Sequence, residues 1–136
     1  MDNNFSNKLL AEYIRVCYSN IGAMNRSMLY RTGERTASIY NEMSLDDAIA
    51  DMKNNGIDVS YRKSGLGNNI VFIVKNSIEV ECTDKSEIVC HMMRGFFAGL
   101  VVTTGQYGQQ YKKKVNCIET ECRAAGHDNC IFAISE

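Results

Sequence analysis

The chain has 136 residues, a length that suits one domain built around a single hydrophobic core. Its 45% of hydrophobic and 23% of charged residues are ordinary for a soluble globular protein, and a formal net charge of −1 gives no electrostatic support for binding nucleic acid or an anionic membrane. The sequence contains no apolar run near the roughly 20 residues that span a bilayer, and no pattern of a secretory signal. We therefore expect a cytoplasmic protein.

The first part of the chain has the apolar spacing of helices. An N-terminal helix is predicted within residues 1–24, where Leu10, Tyr13, Ile14, Cys17 and Ile21 recur at helical intervals. A second helix, roughly residues 25–42, carries Leu29, Gly33, Ala37 and Tyr40 on one side. Because Gly33 costs about 1 kcal/mol relative to alanine inside a helix, it indicates a close backbone or ligand approach, or else a break in the helix.

A third, short helix is marked by its two ends. In "SLDDAIADMKNNG" Ser44 has the position of an N-cap, Asp47 follows three residues later, and Gly56 has the position that ends a helix.

The apolar period then changes from 3.6 to 2, which predicts strands. The segments "IDVSYRK", "IVFIVK" and "SIEVEC" predict a meander of three strands. A long helix follows, with capping-box spacing at Asp84 and Glu87 and an apolar stripe that ends near Val101. The segments "YKKKVNCIETEC" and "CIFAIS" predict two further strands. The predicted fold is therefore α+β, with a mainly antiparallel sheet of about five strands and the long helix between strands three and four.

Four of the six cysteines lie between residues 90 and 130 and suggest a metal site. In a reducing compartment such thiols are more often core residues, metal ligands or nucleophiles than disulfides. Zinc needs four converging donors, and Glu119, Cys122 and Cys130 lie close together in the sequence. Cys90, near the start of the long helix, is the best candidate for the fourth. Cys117, Glu121 and His127 are alternatives, as is a nucleophilic pair of a cysteine with His127.

Two of these stretches resemble a known family. "CHMMRGFFAGL" is similar to the C-x4-G-x3-G helix start of the 4-vinyl-reductase-type domain, and "ETECRAAGHDNCIF" matches the closing E-x-E-C-x3-G-x3-C signature of that family. "RTGERTASIYNEMSLDDAIADMKNNGIDVSYRK" resembles its central helices. The resemblance assigns residues 25–136 to the domain and leaves residues 1–24 as a helix with a possible role in dimerisation.

The resemblance implies a fold, a ligand class and a metal. The fold is that of the superfamily of Golgi-transport subunits and nitric-oxide-signalling domains, with a pocket between helices and sheet. Such domains generally sense small hydrophobic molecules and usually dimerise. In the aromatic-sensing bacterial regulators a structural zinc has three cysteines and a glutamate as ligands, which fall here on Cys90, Glu119, Cys122 and Cys130. The stretch from Gly95 to Glu119 is several residues longer here than in those regulators.

The pocket residues that the resemblance suggests are apolar or aromatic, namely Met93, Phe96, Phe97, Tyr40 and Phe72. Plain core packing is the alternative for each of them. The basic run Lys112–Lys114 is typical of an edge strand protected against aggregation.

We therefore expect a stand-alone, cytoplasmic, homodimeric domain that binds a small hydrophobic or aromatic molecule, contains a structural Zn²⁺ and signals to a separate protein partner. The alternatives are an enzyme or accessory protein of tetrapyrrole or cofactor metabolism, and a scaffold subunit that binds no ligand.

Overall fold

A computed structural model describes residues 26–63, 69–77, 80, 90–105 and 115–135. These residues form an α+β fold, as predicted. In chain order the elements are α1 (Arg26–Thr36), a 3-10 turn (Ala37–Tyr40), α2 (Leu45–Asn54), β1 (Val59–Lys63), β2 (Ile70–Val74), α3 (His91–Thr103), β3 (Asn116–Glu121), a second 3-10 turn (Arg123–Ala125) and β4 (Cys130–Ser135).

The four described strands form one antiparallel sheet in the order β1-β2-β4-β3, so the last strand lies between β2 and β3. Alternation along the strands buries one face, and the register places Phe72 of β2 opposite Phe132 of β4. Helix α3, which carries the fully buried Phe97, packs on this buried face.

The predicted third strand, "SIEVEC", is wrong at its described central residue. Val80 is helical, and its N–H donates to the carbonyl oxygen of Ser77 at 3.2 Å, whereas Ile78 and Cys82 lie outside the described residues. Val80 still packs against the core, because a single apolar residue can meet a core from a helical turn as well as from a strand. Helix α3 therefore lies between β2 and β3 of a sheet that has four described strands rather than about five.

The start of the long helix also differs from the prediction. The capping-box spacing placed it near Asp84, but residues 84–89 lie outside the described part of the chain. Cys90 has φ −82° and ψ 60° and is the N-cap, so α3 begins at His91. Cys90 is thus held just ahead of the first turn rather than within it.

Helices α1 and α3 cross in close backbone contact, as Gly33 indicated. A Cβ atom at Gly33 would overlap the carbonyl oxygen of Met92, and one at Gly95 would overlap that of Tyr30. Gly99 meets the backbone of Glu34 in the same way. The glycines are needed because only a hydrogen atom fits between the two helices, and α3 is thereby enclosed between α1 and the sheet.

Helix α2 begins and ends as predicted. The Ser44 side chain accepts a hydrogen bond from the N–H of Asp47 at 3.1 Å, and Gly56 has a φ of 92° after the last turn. Two tyrosine–aspartate hydrogen bonds tie α2 to its neighbours. The Tyr40 hydroxyl donates to Asp51 at 2.8 Å, and that of Tyr61 in β1 donates to Asp46.

Several predictions fall outside the described residues, namely the N-terminal helix within residues 1–24 and the lysine run Lys112–Lys114. Among the helices that are described, none has the length and apolar character needed to cross a membrane.

Candidate metal centre and aromatic layer

The four predicted metal ligands converge at the N-terminus of α3. Cys90 is the N-cap of that helix, Glu119 lies in β3, Cys122 follows β3, and Cys130 is the first residue of β4. All four are buried, and their donor atoms lie within 4.8 Å of one another. Residues separated by up to 40 positions in the sequence thus form one compact donor set.

The three sulfur atoms have the spacing of metal ligands rather than of a disulfide. The Sγ atom of Cys90 lies 4.0 Å from that of Cys122 and 3.9 Å from that of Cys130, and the third edge measures 4.0 Å. A tetrahedral zinc site with Zn–S bonds of about 2.3 Å has S···S edges of about 3.8 Å, whereas a disulfide bond measures about 2.05 Å. The geometry and the donor types therefore fit a tetrahedral ion.

A β-bulge explains why Glu119 and Cys122 face the same side. In a straight strand, residues three apart point to opposite faces. The register shifts between Glu119, which pairs with Phe132, and Glu121, which pairs with Ile131. The extra residue in between turns Cys122 inward, as bulges near functional sites often do.

The turn after β3 brings Cys130 back to Cys122. The carbonyl oxygen of Cys122 accepts hydrogen bonds from the N–H groups of Ala125 and His127, and Gly126 adopts a left-handed φ of 96°. Within this turn the N–H of Arg123 donates to the Sγ atom of Cys130 at 3.4 Å. Backbone donors of this kind stabilise thiolate ligands.

Glu119 is an isolated carboxyl group in a buried place. Its Oε1 atom accepts a hydrogen bond from the N–H of Cys90 at 3.0 Å, and its Oε2 atom has no hydrogen-bond partner among the described residues. Burial raises the pKa of Glu119 to about 7, against the opposing effect of the hydrogen bonds from Cys90. A buried acceptor without a partner is costly, and a cation at Oε2 removes that cost. This favours Glu119 as the fourth ligand.

The three alternative ligands lie elsewhere. Cys117 is buried and uses its backbone for other contacts, since its N–H donates to the hydroxyl of Tyr30 and its carbonyl oxygen accepts from Arg94. Burial raises the pKa of the Cys117 thiol, so this thiol stays protonated. Glu121 is only half-buried and His127 is exposed, and neither belongs to the donor set.

Arg94 couples α3 to α1 and β3 beside the metal centre. Its guanidinium lies 4.4 Å from the centre of the Tyr30 ring and donates to the carbonyl oxygen of Cys117 at 3.3 Å. Arg94 therefore brings a positive charge to β3 two residues before the ligand Glu119.

The predicted pocket residues form an aromatic layer between α3, the sheet and the end of α1. Phe72 and Phe97 are stacked with ring centres 4.2 Å apart, and Phe96 meets Phe97 edge-on at 5.7 Å. Tyr40 meets Phe96 edge-on at 6.1 Å. Phe132, which was not predicted, lies 5.1 Å from Phe97, although the alternation of β4 places it on the same face as Cys130.

The layer has an inner and an outer part. Phe72, Phe97 and Tyr40 are buried, whereas Phe96 and Met93 are only partly buried and pack against the edge of the core. A molecule that entered the layer from solvent would therefore meet Phe96 and Met93 first.

With this geometry in place, comparison with known proteins becomes informative. Residues 70–136, which include β2 and all four residues of the donor set, match the family model of the vinyl-4-reductase domain, the 4-vinyl-reductase-type domain that the sequence motifs indicated. The chain belongs to the vinyl-4-reductase domain family. No curated protein sequence matches it.

Solved structures share this fold at low sequence identity. The phenol-responsive sensory domain of the transcription activator PoxR, solved with phenol, has a TM-score of 0.69 at 15% identity over 95% of this chain and 73% of its own. A vinyl-4-reductase family protein from Methanocaldococcus jannaschii has a TM-score of 0.65 at 14% identity over 100% of this chain and 82% of its own.

A third structure comes from a eukaryotic assembly. Subunit 3 of the trafficking protein particle complex from Naegleria fowleri, covalently bound to palmitic acid, has a TM-score of 0.59 at 11% identity over 97% of this chain and 95% of its own. At these identities the likeness establishes the fold.

Proposed function

We propose that this vinyl-4-reductase family protein is a small-molecule sensor domain that binds a hydrophobic or aromatic ligand at the outer edge of the aromatic layer. The observation that carries the proposal is the arrangement of that layer, in which buried rings are continued outward by the half-buried Phe96 and Met93. Two proteins of the same fold support it, since one was solved with phenol and the other with palmitic acid.

The chemistry of the layer favours an apolar ligand. Phe72, Phe96 and Phe97 offer ring faces and edges, and ligand sites are mostly apolar with few polar groups. The hydroxyl of Tyr40 already donates to Asp51 at 2.8 Å, so this ring presents its apolar surface to Phe96.

We further propose that the donor set holds a structural Zn²⁺. Cys90, Glu119, Cys122 and Cys130 supply four protein ligands, which leaves no open position for substrate or water. When bound, the ion supplies a cross-link between the start of α3, the end of β3 and the start of β4 rather than reaction chemistry.

Signalling would follow from α3, which belongs to both sites. It starts at the metal ligand Cys90 and carries Phe96 and Phe97 one to two turns later. A ligand that favours one packing of α3 on the sheet shifts the population of conformations. We propose that the chain works as a cytoplasmic homodimer that reports this shift to a separate protein partner.

Calorimetric titration of the purified protein with phenol and with sodium palmitate tests ligand binding. Saturable binding of one of them is expected, and Phe96→Ala should weaken it about tenfold, the equivalent of about 1.4 kcal/mol. Ile39→Ala, at an exposed apolar position after α1, is the matched control and should leave the affinity unchanged. Equal affinities in the wild type and in Phe96→Ala would place the ligand elsewhere.

A scaffold subunit that binds no ligand is the second candidate. It is favoured by the packing of Phe72, Phe97 and Phe132, which are fully buried and fill the space between α3 and the sheet. The likeness to a subunit of the trafficking protein particle complex is consistent with it. Binding of neither phenol nor palmitate, together with co-purification in a stable complex, would favour this candidate.

Metal analysis tests the zinc site separately. About one zinc per chain is expected in the wild type, and none when Cys122→Ser and Cys130→Ser are combined. Cys117→Ser is the matched control, because Cys117 is a buried cysteine of β3 outside the donor set, and it should retain the metal. A folded, metal-free wild type would refute the site.

A further inference from the structure

Ser77 is a buried polar residue that none of the sequence patterns singled out. It follows β2 by three positions and is only 1% exposed. Its Oγ atom lies 3.1 Å from the Sγ atom of Cys90, a residue 13 positions away in the chain. Ser77 thus contacts the donor set directly without belonging to it.

The direction of this hydrogen bond follows from the chemistry of a metal ligand. A cysteine that binds zinc does so as a thiolate, which accepts hydrogen bonds and has no proton to donate. The hydroxyl of Ser77 is then the donor. A buried hydroxyl needs a partner, and Cys90 provides one within contact distance.

The charge of the proposed centre makes such donors necessary. Three thiolates and one carboxylate around Zn²⁺ have a formal charge of −2, and the site is buried. Three donors from three segments each reach a different ligand: the Ser77 hydroxyl reaches Cys90, the N–H of Cys90 reaches Glu119, and the N–H of Arg123 reaches Cys130. Only the first of these three is a side chain, so only it can be removed by substitution without altering the backbone.

We propose that Ser77 is a positioning residue of the metal centre, whose hydroxyl donates to the thiolate of Cys90 and thereby fixes its orientation and stabilises its charge. This inference rests on the proposed zinc site. It adds a residue outside the cysteine and glutamate motifs on which metal affinity depends.

The first test measures zinc affinity by competition with a chromophoric chelator. Ser77→Ala should weaken binding about 10- to 100-fold, the range usual for loss of a hydrogen bond to a metal ligand. Ser77→Thr keeps the hydroxyl and should restore most of the affinity. Ser60→Ala, at an exposed serine of β1, is the matched control and should bind zinc like the wild type.

The second test separates the hydrogen bond from a general loss of stability. With Co²⁺ in place of Zn²⁺, the thiolate-to-metal charge-transfer band reports the electron density on sulfur. Loss of a donor to Cys90 should move this band to longer wavelength in Ser77→Ala but not in Ser77→Thr. Partial unfolding would reduce the intensity of the band without moving it, and circular dichroism measures the folded fraction.

The outcomes distinguish this inference from the proposed function. A wild type that binds zinc while Ser77→Ala binds it within about twofold, with an unmoved Co²⁺ band, would overturn the role of Ser77 and leave the zinc site intact. Failure of the wild type to bind either metal would overturn both. Weaker binding in Ser77→Ala with a shifted band and rescue by threonine would support the role.

Discussion

The N-terminus of α3 lies against three sulfur atoms and a carboxylate, whereas the middle of the same helix lies against phenylalanine rings. The two regions differ in what ordinary folding requires of them. A stable core needs apolar rings, but it does not need a buried glutamate whose Oε2 atom lacks a partner among the described residues.

This difference decides how much function can be inferred from packing. The donor set costs free energy without an ion, so its presence argues directly for metal binding. The aromatic layer stabilises the fold whether or not a ligand binds, so its presence argues for a ligand only together with the half-buried edge at Phe96 and Met93. Weakening one region and measuring the response of the other tests this difference.

Phe97→Ala should have the largest effect on stability. Phe97 is fully buried between Phe72 and Phe132, so its removal leaves a cavity and should lower the free energy of unfolding by about 4 kcal/mol. Phe96→Ala, at the half-buried edge, should cost clearly less. Chemical denaturation measures both, and equal losses would contradict the division into inner and outer rings.

Zinc should stabilise the other region through linkage. Free Zn²⁺ at about 100 times its dissociation constant should raise the free energy of unfolding by about 2.7 kcal/mol. Thermal unfolding with Zn²⁺ and with a chelator measures this gain. Cys130→Ser should abolish it and Cys117→Ser should retain it; a gain of the same size in both would place the metal outside the donor set.

Gly33→Ala tests the contact that encloses α3. Alanine favours an isolated helix by about 1 kcal/mol, but here its Cβ would overlap the backbone of Met92. Because backbone cannot yield as a side chain can, we expect a net loss of about 2 kcal/mol. Thr32→Ala, at an exposed neighbouring position of α1, is the control. An increase in stability for Gly33→Ala would show that the helices are not in close contact.

Tyr40→Phe should have the smallest effect and one that depends on pH. The lost hydrogen bond to Asp51 should cost about 1 kcal/mol at neutral pH. Burial, and then the hydrogen bond to Asp51, raise the pKa of Tyr40 from 10.0 to about 12.

The folded state therefore keeps the hydroxyl proton longer than the unfolded state. The stabilisation is fully present below pH 10 and is lost as the pH rises through the folded-state pKa of about 12. The difference between wild type and Tyr40→Phe should narrow over that range. A difference that stays constant would contradict the assignment of the proton.

Most of the fold could be predicted because its signals are local. The cap at Ser44, the turn at Gly56 and the alternation of β1, β2 and β4 each depend on residues that are neighbours in the sequence. The segment around Val80 could not, because a short alternating apolar run fits a strand or a helical turn equally well.

The donor set was predicted largely through family resemblance, since spacing alone left Cys117, Glu121 and His127 as alternatives. What separates Cys122 from Glu121 is the bulge in β3, a product of pairing with β4 that the spacing within β3 does not reveal. Ser77 was missed for the same reason, because its contact with Cys90 exists only in three dimensions.

Native mass spectrometry of the protein purified from the cell that makes it tests the central claim most directly. We predict that each chain carries one zinc ion and one non-covalently bound, apolar small molecule, and that the molecule is lost from Phe96→Ala while the zinc remains. A folded wild-type protein with the mass of the zinc-bound chain alone, and no affinity for phenol or palmitate, would contradict the proposed sensor function.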